Sequence, residues 1–155
     1  MLPCSRIDAV VELTEKIAIS LKDNGPAADV IIRTFFNARR YARSKDRRTI
    51  TNKVYDIVRR WGFLADISDN NPRRMVMAEL ILSDDDPKRY FTGEQYAPSV
   101  MTEDEIEFLE TVKPEEEEHH RLNYPLWLEA DLKDRFGDKF VQELTALNGR
   151  APLTL

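Results

Sequence analysis

The chain has 155 residues, of which 42% are hydrophobic and 33% charged, with a formal net charge of −5 and a single cysteine, Cys4. That length suits one domain, or one domain with an extension, and buries roughly 70% of the unfolded chain's surface, enough to hold a core without staples. One cysteine excludes an internal disulfide, no apolar run approaches the ~18 residues of a membrane span, and Met1–Ser5 lacks a signal-peptide layout. The cytoplasm is the expected compartment, and no membrane partner is expected.

Apolar spacing predicts helices throughout. Ser5 as N-cap, with Asp8 three residues on, opens the first. Ile7, Val10, Val11, Thr14, Ile17, Ala18 and Leu21 then share one face. Asn24-Gly25-Pro26 ends this helix and starts the next. The second carries Val30, Ile31, Ile32, Phe35 and Phe36, too many apolar faces for a surface helix, which places it near the centre of a bundle. Residues 37–43 are the tail of that helix or a basic loop. Ser44 caps the third, whose apolar face is Ile50, Val54, Ile57, Val58 and Trp61. Arg48, Asn52 and Arg59 lie opposite, Lys53 and Arg60 flank, and Gly62 ends it.

After the Asn70-Asn71-Pro72 turn, a fourth helix buries Met75, Val76, Met77, Leu80, Ile81 and Leu82. Asp84-Asp85-Asp86-Pro87 breaks the pattern, and 88–100 reads as a turn and loop. Thr102 with Glu105 is a capping box for a short acidic helix stopped by Lys113-Pro114. Glu115 to Glu118 is a solvated run. Pro125 starts a helix with Leu128, Leu132 and Phe136, closed by Gly137. Phe140, Val141, Leu144 and Leu147 make the last, ended by Asn148-Gly149, and 151–155 reads as an extended tail. The expected fold is all-α: a bundle of about five core helices with a helical C-terminal extension.

No catalytic constellation is visible. The glycines form no phosphate loop and no strand–glycine–helix dinucleotide unit is present. Cys4 sits away from any expected pocket and reads as an incidental thiol. His119 and His120 are neighbours that point apart, with no third histidine or cysteine, so they read as a solvated turn and not a metal site. Glu103, Asp104, Glu105 and Glu107 lack Ca²⁺-loop order and read as helix-start electrostatics. No catalytic residue, metal or cofactor is expected in this chain.

The informative feature is charge asymmetry. Residues 29–74 hold 12 Lys and Arg against 5 Asp and Glu, a local charge of +7, whereas 84–118 hold 3 against 13, a local charge of −10. Either the basic part meets a polyanion, or the two segments face each other or water. Arg39, Arg40, Arg43, Lys45, Arg47 and Arg48 fall at the start of the third helix, where free N–H groups also favour an anion. Arginine forks match phosphate, counterion release adds affinity, and Tyr41 among them is placed to stack on a base. Arg59, Arg60, Arg73 and Arg74 are candidates to extend the patch. Against this, some arginines are expected to pair with Asp46, Asp56 or Asp66, Arg47 above all, since its phase tilts inward. The candidate nucleic-acid contacts are Arg39, Arg40, Tyr41, Arg43, Lys45, Arg48, Asn52, Arg59 and Arg60.

Two stretches carry a family resemblance. Residues 28–36, ADVIIRTFF, then 44–48, SKDRR, then 54–60, VYDIVRR, resemble the N-terminal domain of bacterial ribosomal RNA (cytosine-5) methyltransferases of the Sun family, a domain related to the antitermination factor NusB. Tyr124-Pro125-Leu126-Trp127-Leu128, Arg135-Phe136-Gly137 and 146–155, ALNGRAPLTL, are similar to that family's segment leading into the catalytic part. The acidic 84–118 stretch matches only loosely.

The resemblance implies a NusB-like RNA-binding domain over 1–112, a helical linker over 113–155, and small-subunit ribosomal RNA as partner. In the parent enzyme, S-adenosylmethionine and a catalytic cysteine would belong to a methyltransferase domain beyond Leu155. Cys4 matches neither family cysteine, so the fragment is expected to be inactive. Apolar surface bared by the absent catalytic domain is expected to favour homodimers of the fragment. A NusB-type protein-interaction or antitermination module is the alternative.

Overall fold

In the computed structural model, which describes residues 1–149, the chain is an all-α bundle with no strand among those residues. Helix α1 is Pro3–Lys22, α2 Ala28–Ala38, α3 Ser44–Arg59, α4 Trp61–Ile67, α5 Pro72–Leu82 and α6 Glu103–Thr111. The C-terminal part holds α7 Glu118–Arg121, α8 Glu129–Phe136 and α9 Phe140–Asn148, with 3₁₀ turns at Leu126–Leu128 and Gly137–Lys139. The expected tail, residues 151–155, lies outside the described residues.

Helix α1 is the axis of the bundle, and α2, α3 and α5 all pack on it. Its stripe of Ile7, Val10, Leu13, Thr14 and Ile17 is almost fully buried, and the Thr14 hydroxyl donates to the Val10 carbonyl at 2.7 Å, so this polar group enters the core satisfied. Ile50, Val54 and Ile57 of α3 and Met75 to Leu80 of α5 close the core from the other sides. Phe91, in the loop after α5, and Phe108 of α6 complete it.

Several boundaries differ from the sequence reading. Helix α1 starts at Pro3 with Leu2 as its cap, so Ser5 lies inside the first turn. Arg43, not Ser44, is the N-cap of α3, and the Asp46 carboxylate accepts its N–H at 3.2 Å. Gly62 does not end a helix run: it sits within α4, which buries Phe63, Leu64 and Ala65. The chain breaks instead at Arg60, whose N–H turns back to the Ile57 carbonyl. Asn71 caps α5 through its side chain, accepting from the Arg74 N–H at 3.1 Å, ahead of Pro72 in the first turn. The Thr102–Glu105 box forms as expected, with bonds of 3.0 and 3.2 Å.

A second, smaller apolar cluster holds Leu122, Tyr124, Phe140 and Leu144, with Leu132 and Phe136 against it. It shares no residue with the main core, which runs no further than Val112. The seam between the two is polar. Arg60 bonds Glu115, the Asn123 amide bonds the Arg59 carbonyl, and His120 meets Asp66.

Candidate nucleic-acid interface

The structure divides the predicted cations into two groups. The first is consumed by the fold. Arg39 donates through one nitrogen to both Glu12 oxygens at 2.9 and 2.8 Å, and its guanidinium lies 3.9 Å from the Phe35 ring centroid. Arg59 pairs with Asp56 at 3.1 Å one turn back. Arg60 bridges α5 and the segment before α7, donating to Glu79 at 2.8 Å and to Glu115 at 2.7 Å. Arg73 grips Glu105 at 2.7 Å and the Ser99 carbonyl at 2.8 Å, and Arg74 lies over Phe108 at 5.3 Å. Arg73 and Arg74 therefore hold the acidic helix and do not extend the patch.

Arg47 points inward as its phase requires, but to a carbonyl. Its Nε donates to Ala42 O at 2.8 Å, and its guanidinium lies 5.4 Å from the Phe36 ring. The carboxylate nearby, Asp46, is 4% exposed and belongs to other donors, Arg6 Nε at 2.8 Å and the terminal ammonium at 3.3 Å. The hydrogen bond from Arg6 holds the Asp46 carboxyl below its ordinary range despite burial. A buried carboxylate thus occupies the helix start, where the sequence suggested free N–H groups for an external anion.

The second group is free. Arg40, Arg43, Lys45 and Arg48 are exposed and make no ion pair with the described residues. Lys45, Arg48 and Asn52 follow at steps of three and four, so they line one solvent-facing stripe of α3, with Arg59, paired to Asp56, further along it. Arg40 and Arg43 lie in the turn that enters this stripe. Tyr41 between them is 67% exposed.

Beside Tyr41 a groove of about 570 Å³ opens between α1 and the α2–α3 turn, with Asp8, Phe35, Arg39 and Tyr96 among its walls. Tyr96 is 68% exposed and held at φ +66°, a backbone state non-glycine residues rarely adopt. Partial desolvation, and then the charge of Glu12, raise the Asp8 carboxyl above its ordinary value. Neither Tyr96 nor Asp8 was legible as a site residue, because 55 residues separate Tyr41 from Tyr96 in the chain.

The charge asymmetry is in part internal to the fold. Arg73–Glu105, Arg60–Glu115 and Lys53–Asp85 tie the basic segment to the acidic one, while the start of α3 keeps its cations unpaired. His119 and His120 are also misplaced by the sequence reading: their side chains are only 13% and 17% exposed, packed against the seam and not solvated. No helix is long and apolar enough to cross a membrane among the described residues. No family model, curated protein or solved structure matches the chain. The family resemblance therefore rests on the sequence motifs alone.

Proposed function

We propose that this chain is an RNA-binding helical domain, NusB-like in fold, that places small-subunit ribosomal RNA for a cytosine-5 methyltransferase. The observation that carries the RNA part is the unpaired run Arg40, Arg43, Lys45 and Arg48 around exposed Tyr41. Four cations without internal partners keep their full attraction for a polyanion, whereas Arg39 and Arg60 must first give up Glu12, Glu79 and Glu115. The stripe on α3 tracks phosphates. The neighbouring groove, with aromatic and acidic walls, suits a splayed base that stacks on Tyr41 or Tyr96 and offers an N–H edge to Asp8, not a second phosphate.

The methyltransferase part rests on the resemblance. S-adenosylmethionine and the catalytic cysteine belong to a catalytic domain of the parent chain, and the chain described here has no turnover of its own. One observation favours the alternative of a protein-interaction module. The extension leaves Trp127 79%, Leu147 73% and Leu126 60% exposed, an apolar surface that suits a protein. In the lead reading that surface meets the catalytic domain.

Titration of a small-subunit ribosomal RNA fragment at two salt concentrations separates the readings. RNA held by the α3 stripe gives a log–log slope of roughly −0.7 per single-strand phosphate engaged. Absence of RNA binding at low salt, with retained self-association or protein capture, moves the function to the protein-interaction module.

A further inference from the structure

Asp66 of α4 and His119 and His120 of α7 each bring one ligand atom to within 4.8 Å of the others. No third histidine or cysteine lies near the two histidines in the chain; the fold supplies a third ligand from a residue 54 positions before His120. Two imidazoles and one carboxylate, with a fourth position open to water, are a donor set that zinc accepts and that hard cations such as Mg²⁺ or Ca²⁺ do not seek.

The geometry fits in three respects. His120 Nε2 and Asp66 Oδ2 are 3.1 Å apart, near the ~3.3 Å between two donors that each sit ~2.0–2.1 Å from a tetrahedral ion. His119 Nδ1 faces Glu117 Oε2 at 3.1 Å; a carboxylate on one ring nitrogen leaves the other, Nε2, as the donor, the usual support for a metal-binding histidine. The imidazoles are held, at 13% and 17% exposure, while the Asp66 side chain, bonded to His120, is 67% exposed on its solvent side. A cleft of about 430 Å³ formed with Gly62, Phe63 and Asn123 gives the ion and its water room.

We propose that Asp66, His119 and His120 form a zinc-type site that clamps the C-terminal extension onto the helical core. The site lies where a clamp has most effect, because the two apolar clusters share no residue and meet across a polar seam. The ion takes the place of the hydrogen bond between His120 and Asp66, joining α4 to α7 through coordinate bonds. This assignment is independent of the RNA reading.

The test uses the untagged full chain, stripped with EDTA and titrated with zinc chloride by calorimetry, with thermal unfolding in parallel. One ion binds per chain, and at hundred-fold excess over Kd the midpoint rises by about 5 °C or more. Asp66→Ala and His120→Ala each weaken binding by about tenfold or more, and Asp66→Asn, which keeps a hydrogen-bonding partner for His120, behaves as Asp66→Ala. No binding at millimolar zinc overturns the site. Unchanged affinity in both Asp66 variants overturns the clamp, since the ion would then be held by the extension alone.

Discussion

Arg60 was a candidate RNA contact by sequence, and the structure makes it a structural joint instead. It is one cation on two carboxylates, with side-chain exposures of 27% for Arg60, 12% for Glu79 and 20% for Glu115. Breaking a fully buried pair from one side costs roughly 3–5 kcal/mol; partial exposure to water reduces this by about half, so Arg60→Ala is expected to lose about 2 kcal/mol. For a chain of this size that is a fall of about 4–8 °C in Tm. Arg59→Ala, next door but on an exposed one-turn pair, is expected to lose only about 0.3 kcal/mol.

The loss also has a pH signature. Burial pushes the Glu79 carboxyl above 4.5, while Arg60 pulls it back. With a raised folded-state pKa, Glu79 binds its proton more tightly in the folded chain, so its charge costs stability as pH rises from 4.5 through the folded value. Removing Arg60 raises that value further. The gap between wild type and Arg60→Ala is therefore widest near neutrality and narrows as pH falls toward 4.5. Urea unfolding of wild type, Arg59→Ala and Arg60→Ala at two pH values measures this. Equal losses for the two variants, or a gap that widens on acidification, would refute the reasoning.

Three other outcomes follow from single residues. Leu13 in α1 is fully buried, so Leu13→Ala is expected to cost about 3 kcal/mol or more in urea unfolding, through transfer and cavity terms together. Gly137 adopts φ +51° and ψ −128° where α8 meets α9, and a Cβ there would touch nothing within 4 Å; Gly137→Ala therefore loses about 1–3 kcal/mol from backbone strain alone, read as earlier melting of the extension. Asp46, held below 3.8 by Arg6, contributes stability that is present above that value and lost as pH falls through its folded pKa. Asp46→Asn is thus less stable than wild type at neutral pH, and the gap between their denaturation midpoints narrows as pH is lowered below 3.8.

Much of the fold was legible because its signals are local. The α1 stripe, the Asn71-Pro72 start and the Thr102–Glu105 box each need only a few neighbouring residues. Helix α4 escaped because Gly62 reads as a stop, yet nothing lies within 4 Å of a Cβ built there and the helix runs through it. Much of the site was hidden for the opposite reason. Which arginines remain free depends on carboxylates 19 to 55 residues away, as with Glu12, Glu79 and Glu115. Helical phase placed Lys45, Arg48 and Asn52 on one face, but no local rule removes Arg39 and Arg60 from the patch or adds Asp66 to the histidines.

The central claim is that the unpaired cations of the α2–α3 turn and α3, and not overall charge, hold the polyanion. Arg40/Arg43/Arg48→Ala should be compared with a charge-matched control, Lys88/Arg135/Lys139→Ala, whose residues are exposed and lie elsewhere. Binding of a small-subunit ribosomal RNA fragment is measured for both at two salt concentrations. The account predicts that the first variant loses most of its affinity and a salt slope of about 0.7 per phosphate contact removed, while the control binds as wild type. Equal losses in the two variants, or full binding by the first, would contradict it.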